Sequence, residues 1–120
     1  MNTTSATEPV GWVPDAPPHP PVTRVDEARV AAFVAAHKLE DWVELAVRLA
    51  RESFPGARAI KVSMVGGPDD EEYGERLWVE AMTEAGADES YRQYRECVDR
   101  WLAATPPWVT ERMNVGSEAA

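Results

Sequence analysis

The stretch from Asp26 to Phe54, DEARVAAFVAAHKLEDWVELAVRLARESF, is the longest part of the chain that follows a single pattern. Its apolar residues recur at steps of three and four, which predicts helix with one buried face. Acidic residues stand at its start and arginines in its last turns, where the helix dipole favours those charges. Pro55 and Gly56 follow directly and are expected to end it.

The apolar stripe changes phase in the middle of this stretch. Continued at helical spacing past Val34, the stripe reaches Asp41 and Glu44, which are charged. The apolar residues instead resume one position later, at Trp42. We therefore expect either two helices or one kinked helix, with the break at residues 37–39.

Two alternating stretches follow and predict a β-hairpin. Ala57 to Val65 alternates apolar and polar side chains, and so does Arg76 to Met82. The acidic segment between them is expected to form a long hairpin loop. A second amphipathic helix is predicted from Asp88 to Ala104, stopped by the Pro-Pro pair that follows it. Arg112 to Val115 is predicted to be a short third strand.

The predicted order is a helix, kinked or split, followed by strand, strand, helix and strand. This order favours a two-layer α+β fold in which the helices cover one face of a small sheet. We expect one domain over residues 25–116, after a flexible proline-rich tail at 1–24 and before a frayed terminus at 117–120. The third strand could pair with the first or with the second.

One pattern in the chain resembles that of other proteins. A helix ending in LARESFPGA (residues 49–57) is followed by a strand, an acidic loop, a strand, a helix and Pro-Pro. This succession resembles small uncharacterised bacterial proteins, over roughly residues 25–115. Its motifs are a helix stop and a hairpin, so the resemblance implies the fold and assigns no activity or functional residue.

The chain carries a net charge of −9, and most of that charge is concentrated in one region. Residues 68–90 contain nine acids and one base, a net of −8. This balance argues against binding to nucleic-acid phosphates or to anionic membrane surfaces. The sequence has no apolar run of membrane-spanning length, no signal peptide at its start, and a single cysteine that cannot form an internal disulfide. We therefore expect a cytoplasmic protein.

The acidic loop at residues 69–75 is the candidate metal site. Asp69, Asp70, Glu71 and Glu72 offer the oxygen ligands that hard cations prefer. Their spacing does not match a Ca²⁺-binding loop, and runs of like charge are usually solvated. We therefore expect no metal and no cofactor, and keep as the alternative function a small enzyme or metal-binding protein that uses this loop.

No pattern in the sequence brings catalytic groups together. His19, His37 and Cys97 lack the spacing of metal ligands, and Cys97 falls beside a buried stripe, as expected for an inert thiol. No glycine-rich nucleotide fingerprint is present. The sequence therefore favours a protein that is not an enzyme, and we predict no catalytic residue.

Tryptophan is unusually frequent, at five in 120 residues. Trp101 fits the apolar stripe of the second predicted helix and is expected in the core. Trp78, Glu80 and Met82 fall on the strand face opposite the buried one, and Trp108 follows a helix-stopping proline. Exposed tryptophan and methionine are common interface anchors. We predict these four residues as the interface of an acidic interaction module that binds a basic protein or a second copy of itself. The alternative is that the N-terminal tail covers them.

Overall fold

The computed structural model describes residues 20–67 and 74–120. This part of the chain forms an α+β fold of two layers, as predicted, with the helices on one face of a mixed sheet. The elements are β1 (Val22–Arg24), α1 (Glu27–His37), α2 (Glu40–Ser53), β2 (Ala59–Val65), β3 (Arg76–Thr83), α3 (Ala87–Ala104), α4 (Pro107–Thr110) and β4 (Met113–Ala119).

The sheet has the order β1-β2-β3-β4. The central pair, β2 and β3, is antiparallel, as the hairpin prediction requires, and each edge strand runs parallel to its neighbour. The last strand pairs with β3, which decides between the two positions left open by the sequence. Val62, Val79 and Val115 lie side by side across the three longer strands and are all buried beneath the helices.

The first strand was not predicted from the sequence, since it lies in the segment expected to be a tail. All three of its residues are exposed, so no alternation of buried and exposed side chains marks it. Its backbone is nevertheless tied to β2. The Ile60 N–H donates to the Pro21 carbonyl and the Val25 N–H donates to the Val62 carbonyl, both at 2.9 Å.

The last strand is longer than predicted and continues through residues that were expected to fray. It pairs with β3 as far as Ala119, which lies opposite Thr83. The Ala120 N–H then donates to the Thr83 carbonyl at 2.9 Å. The side chains at the end of this strand are short and show little alternation of apolar and polar residues. Backbone hydrogen bonds to β3 therefore hold this part of the strand in the sheet.

The long helical stretch is split at the predicted place, between α1 and α2. Lys38 has a positive φ of 55° and lies in the left-handed region. Its N–H donates to the Ala35 carbonyl at 3.4 Å, and the Leu39 N–H donates to the Val34 carbonyl at 2.9 Å. These two bonds are those of a Schellman helix end, in which glycine is the usual left-handed residue. The break therefore has a backbone cause that the side-chain pattern did not show.

Replacing Lys38 with glycine should stabilise the protein, because a residue with a Cβ is strained in the left-handed region. We expect Lys38→Gly to raise the free energy of unfolding by about 0.5–1 kcal/mol, measured by urea denaturation. Lys38→Ala is the control, since it removes the same charge but keeps the Cβ. Equal changes in the two variants would contradict the assignment of strain to this position.

One hydrophobic core lies between the helices and the sheet. Its largest fully buried side chains include Trp101, Phe54, Leu39, Ile60, Leu77 and Met113. The burial of Trp101 was predicted from its helix stripe. The single thiol, Cys97, is also fully buried, and this burial raises its pKa above the ordinary value, which agrees with an inert role.

Two leucines that differ in burial can test how far this core extends. Leu39 is 0% exposed at the junction of α1 and α2, whereas Leu102 is 54% exposed on α3. Leu39→Ala should lower the free energy of unfolding by about 2–5 kcal/mol, as for other buried leucines. Leu102→Ala should change it by less than about 0.5 kcal/mol. Chemical denaturation of both variants measures the difference, and comparable losses would mean that the junction is not part of the core.

Candidate interaction surface

The sheet face that points away from the helices is here called the open face. It is built from the residues that alternate with the buried ones on β2, β3 and β4. In the described residues these are Ala59, Lys61, Ser63, Val65, Arg76, Trp78, Glu80, Met82, Asn114, Gly116 and Glu118. Most of them are half-buried, as expected for side chains that shield one another on a sheet without a covering layer.

The strand register places the open-face residues in rows across the sheet. Trp78 lies opposite Ser63 on one side and Asn114 on the other. In the next rows, Glu80 stands between Lys61 and Gly116, and Met82 between Ala59 and Glu118. The predicted residues Trp78, Glu80 and Met82 therefore occupy the central strand of this surface, with one row each.

A small charge network lies at the centre of the open face. Lys61 Nζ is 2.5 Å from Glu118 Oε2 and 3.9 Å from Glu80 Oε1. The hydrogen bond to Glu118 raises the pKa of Lys61 above its ordinary value. Burial raises the pKa of Glu80, and this effect outweighs the opposing attraction of Lys61. Glu80 is thus the partly desolvated member of the network, with 20% of its side chain exposed.

Trp78 lies across a glycine of the neighbouring strand. A Cβ on Gly116 would stand only 3.3 Å from Trp78 Cζ3 and 3.8 Å from Tyr94 Cε1. Tyr94 comes from α3, which packs against β4. The Trp78 ring could not keep its place beside a side chain at Gly116, because a Cβ at 3.3 Å is too close.

Two donors on the open face are buried without an acceptor in the described part of the chain. They are Trp78 Nε1 and Arg76 Nε, from adjacent positions of the same face of β3. An unpaired buried donor costs about 1–3 kcal/mol. A hydrogen-bond acceptor supplied by a partner would therefore be most favourable at the end of the open face where Arg76 and Trp78 lie.

The fourth predicted interface residue is not part of this surface. Trp108 lies on α4 in the helix layer, 47% exposed, with its ring edge-on to Trp42 at a centroid distance of 6.1 Å. Sequence reasoning also missed Lys61 and Gly116. Alternation placed Lys61 on the outward face but gave it no partner, and Gly116 lies just beyond the strand predicted at residues 112–115.

The candidate metal residues Asp69, Asp70, Glu71 and Glu72 lie outside the described residues. Next to them, Glu75 is held by Arg29 in an ion pair at 2.8 Å. Within residues 20–67 and 74–120, no group of three or more His, Cys, Asp or Glu side chains is placed to hold a metal ion. The metal-binding alternative therefore stays a prediction from the sequence.

Comparison of the chain with protein-family models, with curated proteins and with solved structures found no match. Among the helices of the described residues, none has the length and apolarity needed to cross a membrane. Any function must consequently be argued from the surface of the molecule itself.

The charge network predicts a pH-dependent effect of removing the Glu80 charge. Because the folded-state pKa of Glu80 is raised, the folded protein binds its proton more tightly than the unfolded chain does. This contribution to stability is present at low pH and is lost as the pH rises through the raised pKa. Glu80→Gln should therefore stabilise the protein at pH 7 by less than about 1 kcal/mol and have almost no effect at pH 3.

Glu118→Gln is the matched control, since it removes the carboxylate that bonds Lys61 directly. It should destabilise the protein slightly at pH 7, opposite in sign to Glu80→Gln. Urea titrations at both pH values measure the two effects. Destabilisation of the same size by both substitutions at pH 7 would mean that attraction to Lys61, and not burial, dominates at Glu80.

Proposed function

We propose that this protein is a non-enzymatic interaction module that binds a basic protein through the open face. The observation that carries the proposal is the position of Trp78 and Met82 on the central strand of a sheet face that lacks a helix in the described residues. Tryptophan in a partly shielded position at the centre of a surface is the usual anchor of a protein interface.

The charge of the chain favours a basic partner over a second copy. On the open face itself, Lys61 and Arg76 balance Glu80 and Glu118. The whole chain nevertheless carries −9, so two copies repel each other while a basic protein is attracted. The homodimer is therefore the alternative partner, and the one with the less favourable electrostatics.

The buried donor of Trp78 fits this role. Its Nε1 has no acceptor among the described residues, so the free protein bears the cost of that unmade bond. A rotation of the indole that brings Nε1 to the surface would recover the cost once a partner supplies an acceptor. The affinity for the partner would then depend on Trp78 more strongly than on its neighbours on the open face.

Replacing the central tryptophan should abolish partner binding without unfolding the protein. The immobilised full chain is used to capture proteins from native lysate, which are identified by mass spectrometry. We expect a stoichiometric partner of basic isoelectric point, whose capture falls at least tenfold with Trp78→Ser, as for other interface anchors. Raising the salt from 50 to 300 mM should also weaken capture, because screening reduces the attraction of opposite charges.

Trp108→Ser is the matched control, since it removes an exposed tryptophan from the helix layer. It should leave capture unchanged. Met82→Ala serves as a second open-face variant should Trp78→Ser fail to fold in a circular-dichroism melt. Equal losses with Trp78→Ser and Trp108→Ser would refute the proposal. A dimer of the free protein that Trp78→Ser dissociates would identify the partner as a second copy.

A further inference from the structure

A groove of about 840 Å³ lies on the helix side of the sheet, between β1, α1 and α2. Its size is within the range of ligand sites in proteins. It exists because no helix of the described residues lies above β1. Val22 stands beside Ile60 in the sheet, yet Ile60 is fully buried while Val22 is 37% exposed. The side of β1 that faces the helix layer thus forms the floor of the groove, beside α2.

The wall of the groove formed by the helices is apolar. Val34 of α1 and Val43 and Val47 of α2 line it, and only 6–8% of each is exposed. Val22, which is 37% exposed, adds the largest apolar area to these small patches. A linear apolar group in the groove would gain roughly fourfold in affinity for each CH₂ group that leaves water.

Arginines line the same groove. Arg48 and Arg51 lie three residues apart on α2, so they share one helix face, and Arg24 projects from β1. Within the described residues, none of the three guanidinium groups lies within 4 Å of a carboxylate. Arg51 donates through Nη2 to the Pro20 carbonyl at 3.2 Å, but its Nε is buried and unpartnered in this part of the chain.

In the described residues, no acid that lines the groove forms an ion pair with these arginines. Glu52 is engaged by Arg100 at 2.6 Å. Glu44 lies one helical turn before Arg48 on the same face of α2, yet the two side chains are not joined by an ion pair within 4 Å. The last turns of α2 therefore present two arginines that are not paired with a carboxylate in this part of the chain, and the valines lie beside them.

We propose that this groove binds a small organic carboxylate with a linear apolar tail. The carboxylate lies at the Arg48–Arg51 end, where charge-assisted hydrogen bonds from guanidinium groups are strong. The tail covers Val43 and Val47 on its way along α2. This site is separate from the open face, and the proposal does not depend on the function proposed for that face.

The test is a titration of the full-length protein with octanoate, followed by the backbone amide resonances of the groove and by the melting temperature. We expect saturable shifts at Val22, Val43 and Val47 and a rise in melting temperature with octanoate concentration. Octylamine should give neither. Hexanoate should bind at least tenfold more weakly than octanoate, since each CH₂ group contributes roughly a fourfold change in affinity.

Arg51→Gln should abolish the response to octanoate. Arg48→Gln is a second variant at a more exposed position, in case the loss of the bond to the Pro20 carbonyl unfolds the first. Arg112→Gln is the matched control, because it makes the same change of charge at an exposed site outside the groove and should respond as the native protein does. The proposal is overturned by no response to octanoate, by an equal response to octylamine, or by equal losses in Arg48→Gln and Arg112→Gln.

Discussion

The antiparallel pairing of β2 with β3 is the interaction on which the rest of the structure depends. It places Val62 beside Val79 and so joins the two halves of the chain in one core. Each half then adds one parallel edge strand through a helical connection. Both connections run over the same face of the sheet, so the other face has no cover in the described residues.

This arrangement leaves two sheet edges of different length. β1 is only three residues long and thus offers little template for another strand. β4 is longer, and it pairs with β3 as far as Ala119. Within β4, Gly116 leaves room for the ring of Trp78, because a Cβ there would stand only 3.3 Å from Cζ3. A side chain at this position would therefore displace the tryptophan at the centre of the open face.

Much of the fold could be predicted from the sequence, because side chains report which face of an element is buried. The helical stripes and the alternation on β2 and β3 gave the element types and the buried faces, including that of Trp101. The break at Lys38 was located by a shift in phase, but its left-handed backbone leaves no mark in a lysine. β1 could not be predicted, since its residues are all exposed and only backbone bonds define it.

The candidate surfaces were predictable to a smaller degree, because they depend on contacts between distant residues. Alternation along one strand was enough to group Trp78, Glu80 and Met82, whereas the position of Trp108 required knowledge of how α4 packs. The ion pair of Lys61 with Glu118 joins residues 57 positions apart, so no local sequence pattern could predict it. The groove could not be predicted from the sequence, because it depends on how far α1 and α2, among the described elements, extend over β1.

The two surfaces have different origins in the fold, since the open face results from both helical connections lying on one side of the sheet, and the groove lies where the described helices leave β1 uncovered. Some arginines of this acidic chain pair with carboxylates, as Arg29 does with Glu75, Arg58 with Glu84 and Arg100 with Glu52. Arg48 and Arg51 line the groove beside β1 instead, where no other element of the described residues brings a carboxylate within 4 Å of them. Across residues 20–67 and 74–120, both guanidinium groups thus remain without an ion pair, and this is the observation behind the anion site proposed for the groove.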